Sequence, residues 1–318
     1  MKKHLLTGIL LLAITGMNIA PVIADEAADA LIQDKICKIG FNKMFAQDPK
    51  KDITELFEKH TKYANKHDYE KMENLYSDGY INSDGFDRST YFSMIRRTWD
   101  IYPKISYTTE IRDITISGNY AVVKMCEKAI GEAKDSVANM KETGILTSDS
   151  FSYYYLQKFG NDWKITSQNT LEELTTLKYG DTKSTNIVLT APNQVPAGEE
   201  YTVSLTTDVP SQSFILASIT NEPIIYPQKS PQDIFRNIKK DGVLERVFKA
   251  NKENHNEFAT ASIGITKAAI LDPKNINIQI TGMAFVMSRV NVVDKKNAVI
   301  ADSKQPENTN KDDEKTIK

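Results

Sequence analysis

The stretch that decides the fold is DITELFEKHTKYANKHDYEKMENLYSDGYINSD, residues 52–84. Its first half carries apolar residues at three- and four-residue steps, the spacing of one helix face: Ile53, Leu56, Phe57, Tyr63 and Ala64. Asp52, followed three residues later by Glu55, predicts a capping pair at the start of this helix. A second, shorter helix is predicted from Asp68, and its inner residues are Met72, Leu75 and Tyr76. Neither helix can bury its apolar face alone, so both require a sheet to cover them.

Beyond this helical hairpin the periodicity changes from helical to alternating. A third helix is predicted between Asp87 and Pro103. Four strands are then predicted, over residues 105–116, 120–130, 150–159 and 163–171. Tight-turn sequences separate the first strand from the second and the third from the fourth, so these neighbours should pair antiparallel. The order predicts an α+β cone, in which helices pack on one face of a curved antiparallel sheet.

The order of these elements resembles the NTF2-like superfamily, and in particular its SnoaL-like members. Tyr80 and Asp84 contribute to the resemblance, and its most specific piece is the run GNDWKI at residues 160–165, which leads into the last strand. The resemblance covers residues 51–180 and implies a hollow between the sheet and the helices. Members of the superfamily use this hollow for catalysis, for ligand binding or for neither, so the fold alone does not assign a function.

A second domain is predicted over residues 186–293. Alternating strand patterns on both sides of a Pro-Gly turn at residues 195–198 are typical of the opening of a β-sandwich. The region resembles an immunoglobulin-like sandwich of bacterial surface and envelope proteins, without the paired Cys and the Trp of that fold. Residues 231–251 carry apolar residues at helical spacing, and they are predicted to form a helical insertion between strands.

Both ends of the chain are predicted to lie outside these domains. Residues 1–24 combine a basic start, a short apolar run and small residues at their end, which is typical of a cleaved secretory signal; an uncleaved anchor is the alternative. Residues 25–50 follow the pattern of an amphipathic helix, and residues 294–318 that of a disordered tail. We therefore expect an exported protein, periplasmic or extracellular, with no stable transmembrane span after cleavage.

Charge and cysteine content exclude several partners and sites. The chain has 40 basic and 42 acidic residues, and loss of the signal would remove Lys2 and Lys3 and leave a net charge of −4. Nucleic acid requires clustered basic residues and is not an expected partner. Cys37 and Cys126 either form a disulfide in an exported protein or remain separate buried thiols. No metal-ligand, nucleotide or nucleophile motif is present, so neither a metal nor a cofactor is expected.

The hollow that the resemblance implies supplies the candidate site. Isomerases and dehydratases of the superfamily place an acid and a base there, with a Tyr that stabilises developing negative charge. The polar and aromatic residues predicted to line it are His60, Tyr63, Tyr80, Asp84, Trp99, Glu127, Tyr154 and Gln168. None of them matches a catalytic motif of the family, so no catalytic role is assigned.

Three of these residues have competing interpretations. His60 lies on the apolar face of the first helix, where a hydrogen-bonded structural histidine is favoured over a general base. Glu127 shares a strand face with Val123 and Met125. If that face is buried, the pKa of Glu127 should rise and the residue becomes the best acid or base; an open, solvated face is favoured. For Tyr154, packing is favoured over ligand stacking.

Three functional hypotheses follow. The favoured one is an exported, non-enzymatic binding or assembly protein, whose cone binds a small hydrophobic ligand or an envelope protein and whose sandwich mediates envelope interactions. The alternative is an envelope enzyme, an isomerase, dehydratase or hydrolase, which requires a cone pocket of about 300 Å³ or more. The third is a structural module that forms a homodimer through the open sheet face of the cone.

Overall fold

A computed structural model describes residues 48–133, 143–208, 213–228, 232–272 and 275–295. Three helices come first: α1 (Pro49–Asn65), α2 (Tyr69–Glu73) and α3 (Arg88–Ile101). The strands that follow are β1 (Ser106–Ser117), β2 (Tyr120–Glu132), β3 (Ile145–Phe159), β4 (Asp162–Gly180), β5 (Ile187–Thr190), β6 (Gln194–Pro196), β7 (Glu200–Thr207), β8 (Ser213–Pro223), β9 (Arg236–Asn237), β10 (Val243–Lys249), β11 (Glu257–Asp272) and β12 (Asn275–Val293). The predicted signal peptide and nearly all of the predicted N-terminal helix and tail lie outside the described residues. No helix within the described ranges is long and apolar enough to cross a membrane.

Helix α1 begins one turn earlier than predicted. Asp48 is its N-cap, because the backbone N–H of Lys50 donates to Asp48 Oδ1 at 3.0 Å, and Pro49 lies in the first turn. The predicted cap formed by Asp52 and Glu55 is therefore wrong. A proline breaks a helix interior but is well suited to the first helical position, where its missing N–H has no intrahelical partner to lose.

Among the described residues, one nine-stranded sheet runs through both predicted domains, in the order β1-β2-β3-β4-β12-β11-β8-β9, with β6 paired to β12. Strands β1 to β4 form an antiparallel meander, as predicted. Strand β4 then pairs antiparallel with β12, with Leu174 opposite Ser288 and Gly180 opposite Gly282. The close approach at this junction requires Gly282, since a Cβ there would lie 2.7 Å from the backbone nitrogen of Thr182. The predicted second domain thus continues the sheet of the first.

The two halves of the chain cover opposite faces of this sheet. In the front half, residues 48–180, the helices pack on the face that carries Val123 and Tyr154, which we call the inner face. In the rear half, residues 186–295, a sheet of order β10-β7-β5 packs on the other, outer face, against Val286 and its neighbours. The α+β arrangement of the front half is as expected. A separate immunoglobulin-like sandwich is not confirmed, because one of its two sheets is shared with the cone.

The predicted helical insertion at 231–251 is wrong, because its described residues, 232–251, contain two strands and no helix. Strand β9 adds a short edge to β8, and β10 pairs with β7 along its whole length. Gly242 permits the turn into β10: its φ is +74°, and a Cβ there would collide with the carbonyl oxygen of Thr207. The apolar spacing of the segment fits a helix, but pairing with β7 buries Phe248 and overrides that local preference.

Candidate functional site

A small cavity lies between the helices and the inner sheet face. Its volume is about 40 Å³. The polar and aromatic side chains around it include His60, Thr98, Trp99, Tyr107, Thr109 and Glu127, contributed by α1, α3, β1 and β2. Since one water occupies about 10–15 Å³ on this measure, the cavity has room for roughly three water molecules. It is far too small for a drug-sized ligand.

Aromatic side chains fill most of the remaining interior. Tyr76 is almost completely buried and packs edge-to-face against Tyr80 and Phe92, with ring centroids 5.0 Å apart in both pairs. Phe57 packs in the same way against Tyr154, at 5.1 Å. These rings occupy much of the space that the resemblance assigned to a ligand. The candidate residues Tyr80 and Tyr154 therefore have a packing role in this structure.

His60 is a buried, hydrogen-bonded histidine on α1, the interpretation that the sequence favoured. Its Nε2 lies 2.9 Å from the hydroxyl of Tyr76. Burial disfavours the charged ring and lowers the pKa of His60 to about 4, so the ring is neutral near pH 7. Its Nδ1 has no hydrogen-bond partner among the described residues, and the side chain borders the cavity.

Glu127 lies on the inner face of β2. The helices cover this face, whereas the sequence favoured a face open to solvent. The hydroxyl of Tyr154 lies 2.9 Å from each carboxyl oxygen and donates to the group. The side chain keeps some accessible surface beside the cavity, but protein atoms enclose the carboxyl group. This burial raises the pKa of Glu127 to about 7, and the bond from Tyr154 opposes the rise. The group can therefore gain or lose a proton near neutral pH.

The other predicted residues do not meet at this cavity. Asp84 forms an ion pair with Arg289 at 2.8 Å, and both side chains are fully buried. Gln168 is buried and lies 3.4 Å from the hydroxyl of Ser152. Tyr63 is half-buried beside a separate surface cleft. Of the eight candidates, the structure brings His60, Trp99 and Glu127 to the cavity, with Tyr154 bonded to Glu127.

Glu173 and Arg289 are buried ionisable residues that the sequence did not predict to be part of a site. A bulge after Phe151 in the pairing of β3 with β4 changes the register and places Glu173 on the inner face, opposite Ser150. Burial raises the pKa of Glu173 to about 8, while the nearby Arg289 guanidinium opposes the rise. The sequence does contain a signal for this: residues 283–293 form an apolar run with a single arginine, and an arginine in a buried strand requires an acidic partner.

A much larger groove, of about 740 Å³, lies on the outer face of the front sheet. We call it the outer groove. Its floor consists of outward-facing side chains of β1 to β4, among them Phe151 and Leu174, and its wall consists of β5 and the following residues, including Leu189 and Ala191. The groove forms because the three-stranded sheet covers only the rear part of the outer face, so that the edge of this smaller sheet stands above the uncovered strands. It is open to solvent and was not predicted from the sequence.

Four of the charged side chains in the outer groove form two neighbouring pairs. Arg112 contacts Glu110 at 2.7 Å, and Lys128 contacts Asp149 at 2.9 Å. All four side chains are exposed, so these pairs contribute little to stability and remain available to a ligand. Leu174, 43% exposed, lies on the same floor. The surface can therefore contact both apolar and charged groups.

Cys126 lies half-buried in the floor of the outer groove, where Arg112 Nε donates to its Sγ at 3.2 Å. Its predicted partner, Cys37, lies outside the described residues, so the disulfide stays a prediction. Within the described part of the chain, no three metal-ligating side chains are grouped so that they could hold a metal ion.

Neither a protein-family profile nor a curated protein sequence matches the chain. Similar solved structures include an NTF2-like protein from Cytophaga hutchinsonii (17% identity, 39% of this chain and 98% of that chain, TM-score 0.30). A hexachlorocyclohexane dehydrochlorinase from Novosphingobium barchaimii has 9% identity over 38% of this chain and 84% of its own, with a TM-score of 0.32. A protein provisionally named scytalone dehydratase, from Novosphingobium aromaticivorans, has 16% identity over 38% and 81%, also with a TM-score of 0.32. Each of these similarities covers less than half of this chain.

Proposed function

We propose that this chain is a non-enzymatic binding protein and that the outer groove holds an extended segment of a partner protein. The observation that carries the proposal is the contrast between the groove, about 740 Å³, and the cone cavity, about 40 Å³. Ligand sites typically measure about 300–1,000 Å³, a range that includes the groove and excludes the cavity. On this proposal the filled cone is a rigid support for the surface outside it.

The shape of the groove suits an extended peptide. It crosses five neighbouring strands, from Glu110 on β1 to Ser288 on β12. At about 4.8 Å per strand the crossing measures roughly 19 Å, the length of about six extended residues. Phe151 and Leu174 can receive apolar side chains, while the charged pairs on the floor can bind polar or charged neighbours. The proposed ligand is therefore a short segment with an apolar centre and charged flanks.

Export remains part of the proposal, because residues 1–24 have the composition of a cleaved signal. The partner would then be another protein of the envelope. Expression of the full chain in a bacterial host and mass spectrometry of the mature protein test this part. An N-terminus at Asp25 in the exported fraction supports it, and an intact N-terminus in the cytoplasm contradicts it.

Selection from a displayed library of random peptides tests the groove. The full chain should enrich peptides that have an apolar centre and charged flanks. Their binding should fall at least about tenfold in Leu174→Lys, because the new charge removes the apolar contact from the floor. Tyr120→Lys is the matched control: Tyr120 is 60% exposed on the same sheet but lies outside the groove. Peptides that bind both variants equally, or no enrichment at all, would contradict the proposal.

Acid–base catalysis in the cone is the second candidate function. It is favoured by one observation: Glu127, with a pKa of about 7, borders the same cavity as the neutral His60. A substrate would have to displace Trp99 or Tyr107, because the cavity is too small for one. Turnover of small hydroxylated or carbonyl compounds, lost in Glu127→Gln but kept in Leu174→Lys, would establish this candidate over the binding proposal.

A further inference from the structure

Strand β10 forms an edge of the three-stranded sheet. Thr207 N–H donates to the Gly242 carbonyl at one end of the strand, and Ala250 N–H donates to the Glu199 carbonyl at the other, both at 2.9 Å. Antiparallel pairing alternates, so residues 244, 246 and 248 direct their backbone groups towards β7. Residues 243, 245, 247 and 249 direct theirs away from it. Within the described residues, no strand pairs with this side of β10.

This edge lacks the features that protect the edge strand β1 at the front of the molecule. There, a bulge between Ile111 and Asp113 interrupts the strand. The Asn65 side chain also bonds to both the N–H and the carbonyl of Tyr107, at 2.7 and 2.8 Å. Strand β10 has neither a bulge nor a proline along its seven residues. Val247, 62% exposed, lies next to its central residue. A regular, exposed edge with an apolar side chain is a template for pairing with another strand.

The side chains of β10 are complementary to a second copy of the same strand. When two copies run antiparallel with Val247 opposite Val247, each Glu245 lies opposite the other copy's Lys249. In this register the free backbone N–H and carbonyl groups of the two copies face each other, because residues 245, 247 and 249 all direct these groups away from β7. Glu245 and Lys249 form no ion pair with the described residues of their own chain. Placing Glu245 opposite itself instead would oppose like charges, which disfavours that register.

We propose that β10 pairs with β10 of a second copy around a two-fold axis at Val247, so that two three-stranded sheets become one six-stranded sheet. The partner is another copy of this chain, because two identical strands related by a two-fold axis already place each Glu245 opposite a Lys249. This surface lies in the rear half and differs from the open sheet face of the cone, for which the sequence suggested dimerisation. It is also independent of the outer groove.

Charge exchange along β10 tests this proposal. Sedimentation equilibrium of the full chain should show a reversible dimer whose dissociation constant rises at least about tenfold in Glu245→Lys and in Lys249→Glu, because each variant creates two like-charge pairs across the axis. The double variant should return the dissociation constant to near the wild-type value, since every pair is then complementary again. Val188→Lys, at an exposed position of β5, is the matched control and should leave it unchanged.

Circular dichroism of each variant verifies that it is folded before its mass is compared. A wild-type chain that stays monomeric up to millimolar concentration would overturn the proposal. So would a dimer that both single variants leave unchanged, or a double variant that dimerises no better than the singles. Strengthening of the single variants' dimers by salt, which screens like charges, would add support.

Discussion

The front and rear cores share one sheet but differ in what they bury. The front core encloses His60, Glu127 and Glu173 among tyrosine and phenylalanine rings. The rear core consists mainly of aliphatic side chains, such as Ile263 and Val286. The cost of burying an apolar side chain does not depend on pH, whereas that of an ionisable group does. Changes of pH should therefore affect the stability of the front half more than that of the rear half, where apolar packing predominates and the buried Glu257 accepts a hydrogen bond from Tyr201.

The largest effect is expected at the buried ion pair that links the two halves. Asp84 belongs to the loop before α3, and Arg289 belongs to β12 of the rear half. Asp84→Ala should lower the free energy of unfolding by about 3–5 kcal/mol, because it leaves a buried guanidinium without its carboxylate. Urea denaturation measures the loss.

The double variant Asp84→Leu with Arg289→Met is the control for this pair. Replacing both charges with apolar groups removes the uncompensated charge, so the double variant should be more stable than Asp84→Ala alone. Equal stability of the two variants, or a loss below about 1 kcal/mol in Asp84→Ala, would show that the pair does not join the halves as described.

A smaller effect is expected in the rear core. Ile263→Ala should cost about 3 kcal/mol, because Ile263 is 1% exposed and its truncation leaves a cavity between the two sheets. The comparison predicts that this cost is the same at pH 5.5 and at pH 8.5. A cost that changes between the two conditions by more than about 1 kcal/mol would mean that the rear half is also under ionic control.

The pH dependence of the front half should follow Glu127. Its folded pKa, about 7, lies above the ordinary value of 4.5, so the stability it contributes is full below pH 4.5 and is lost as the pH rises through 7. Glu127→Gln keeps a neutral side chain at every pH. Relative to the wild type, it should gain about 1–2 kcal/mol between pH 5 and pH 8.5, since one pKa unit corresponds to about 1.4 kcal/mol and partial exposure reduces the effect.

Glu127→Asp provides the matched measurement, because it retains an ionisable group at the same position. Its stability should fall more steeply with rising pH than that of the Gln variant, in which only Glu173 of the two buried carboxyl groups still titrates. Parallel pH profiles for the wild type and Glu127→Gln between pH 5 and 8.5 would contradict the assignment of this dependence to Glu127.

The smallest effect is expected at the edge of β1. Asn65→Ala removes the two hydrogen bonds to Tyr107 and should cost about 1 kcal/mol, since water can replace a bond at a partly exposed site. Lys66→Ala, at an exposed neighbouring position, should change stability by less than about 0.5 kcal/mol. A loss above about 2 kcal/mol in Asn65→Ala would show that the edge matters more to folding than its exposure indicates.

Much of the front fold could be predicted, because its periodicities are local. The apolar spacing of α1 and the alternation in β1 to β4 each follow from residues that are near in sequence. The pairing of β4 with β12 could not be predicted, since it joins residues about a hundred positions apart. The segment at 231–251 was assigned as helix because its spacing fits one, and only the partner strand β7 decides otherwise.

The candidate site was predictable in part for the same reason. The position of His60 on an apolar helix face indicated burial, and the alternation of β2 placed Glu127 beside Val123 and Met125. Sequence alone could not show that aromatic rings fill the cone, because that depends on packing between elements. Nor could it show Glu173, whose inward position depends on a bulge, or the outer groove, which arises where the second sheet ends.

Hydrogen exchange of the full chain, followed by mass spectrometry at increasing denaturant, tests most directly whether one sheet joins both halves. Peptides that cover residues 174–180 of β4 and 282–288 of β12 should be protected to the same degree and should lose protection at the same denaturant concentration, because these segments bond to each other. Because β4 also bonds to β3, only some of its amides depend on β12; full protection of the β4 peptide after the β12 peptide exchanges freely would contradict the shared sheet.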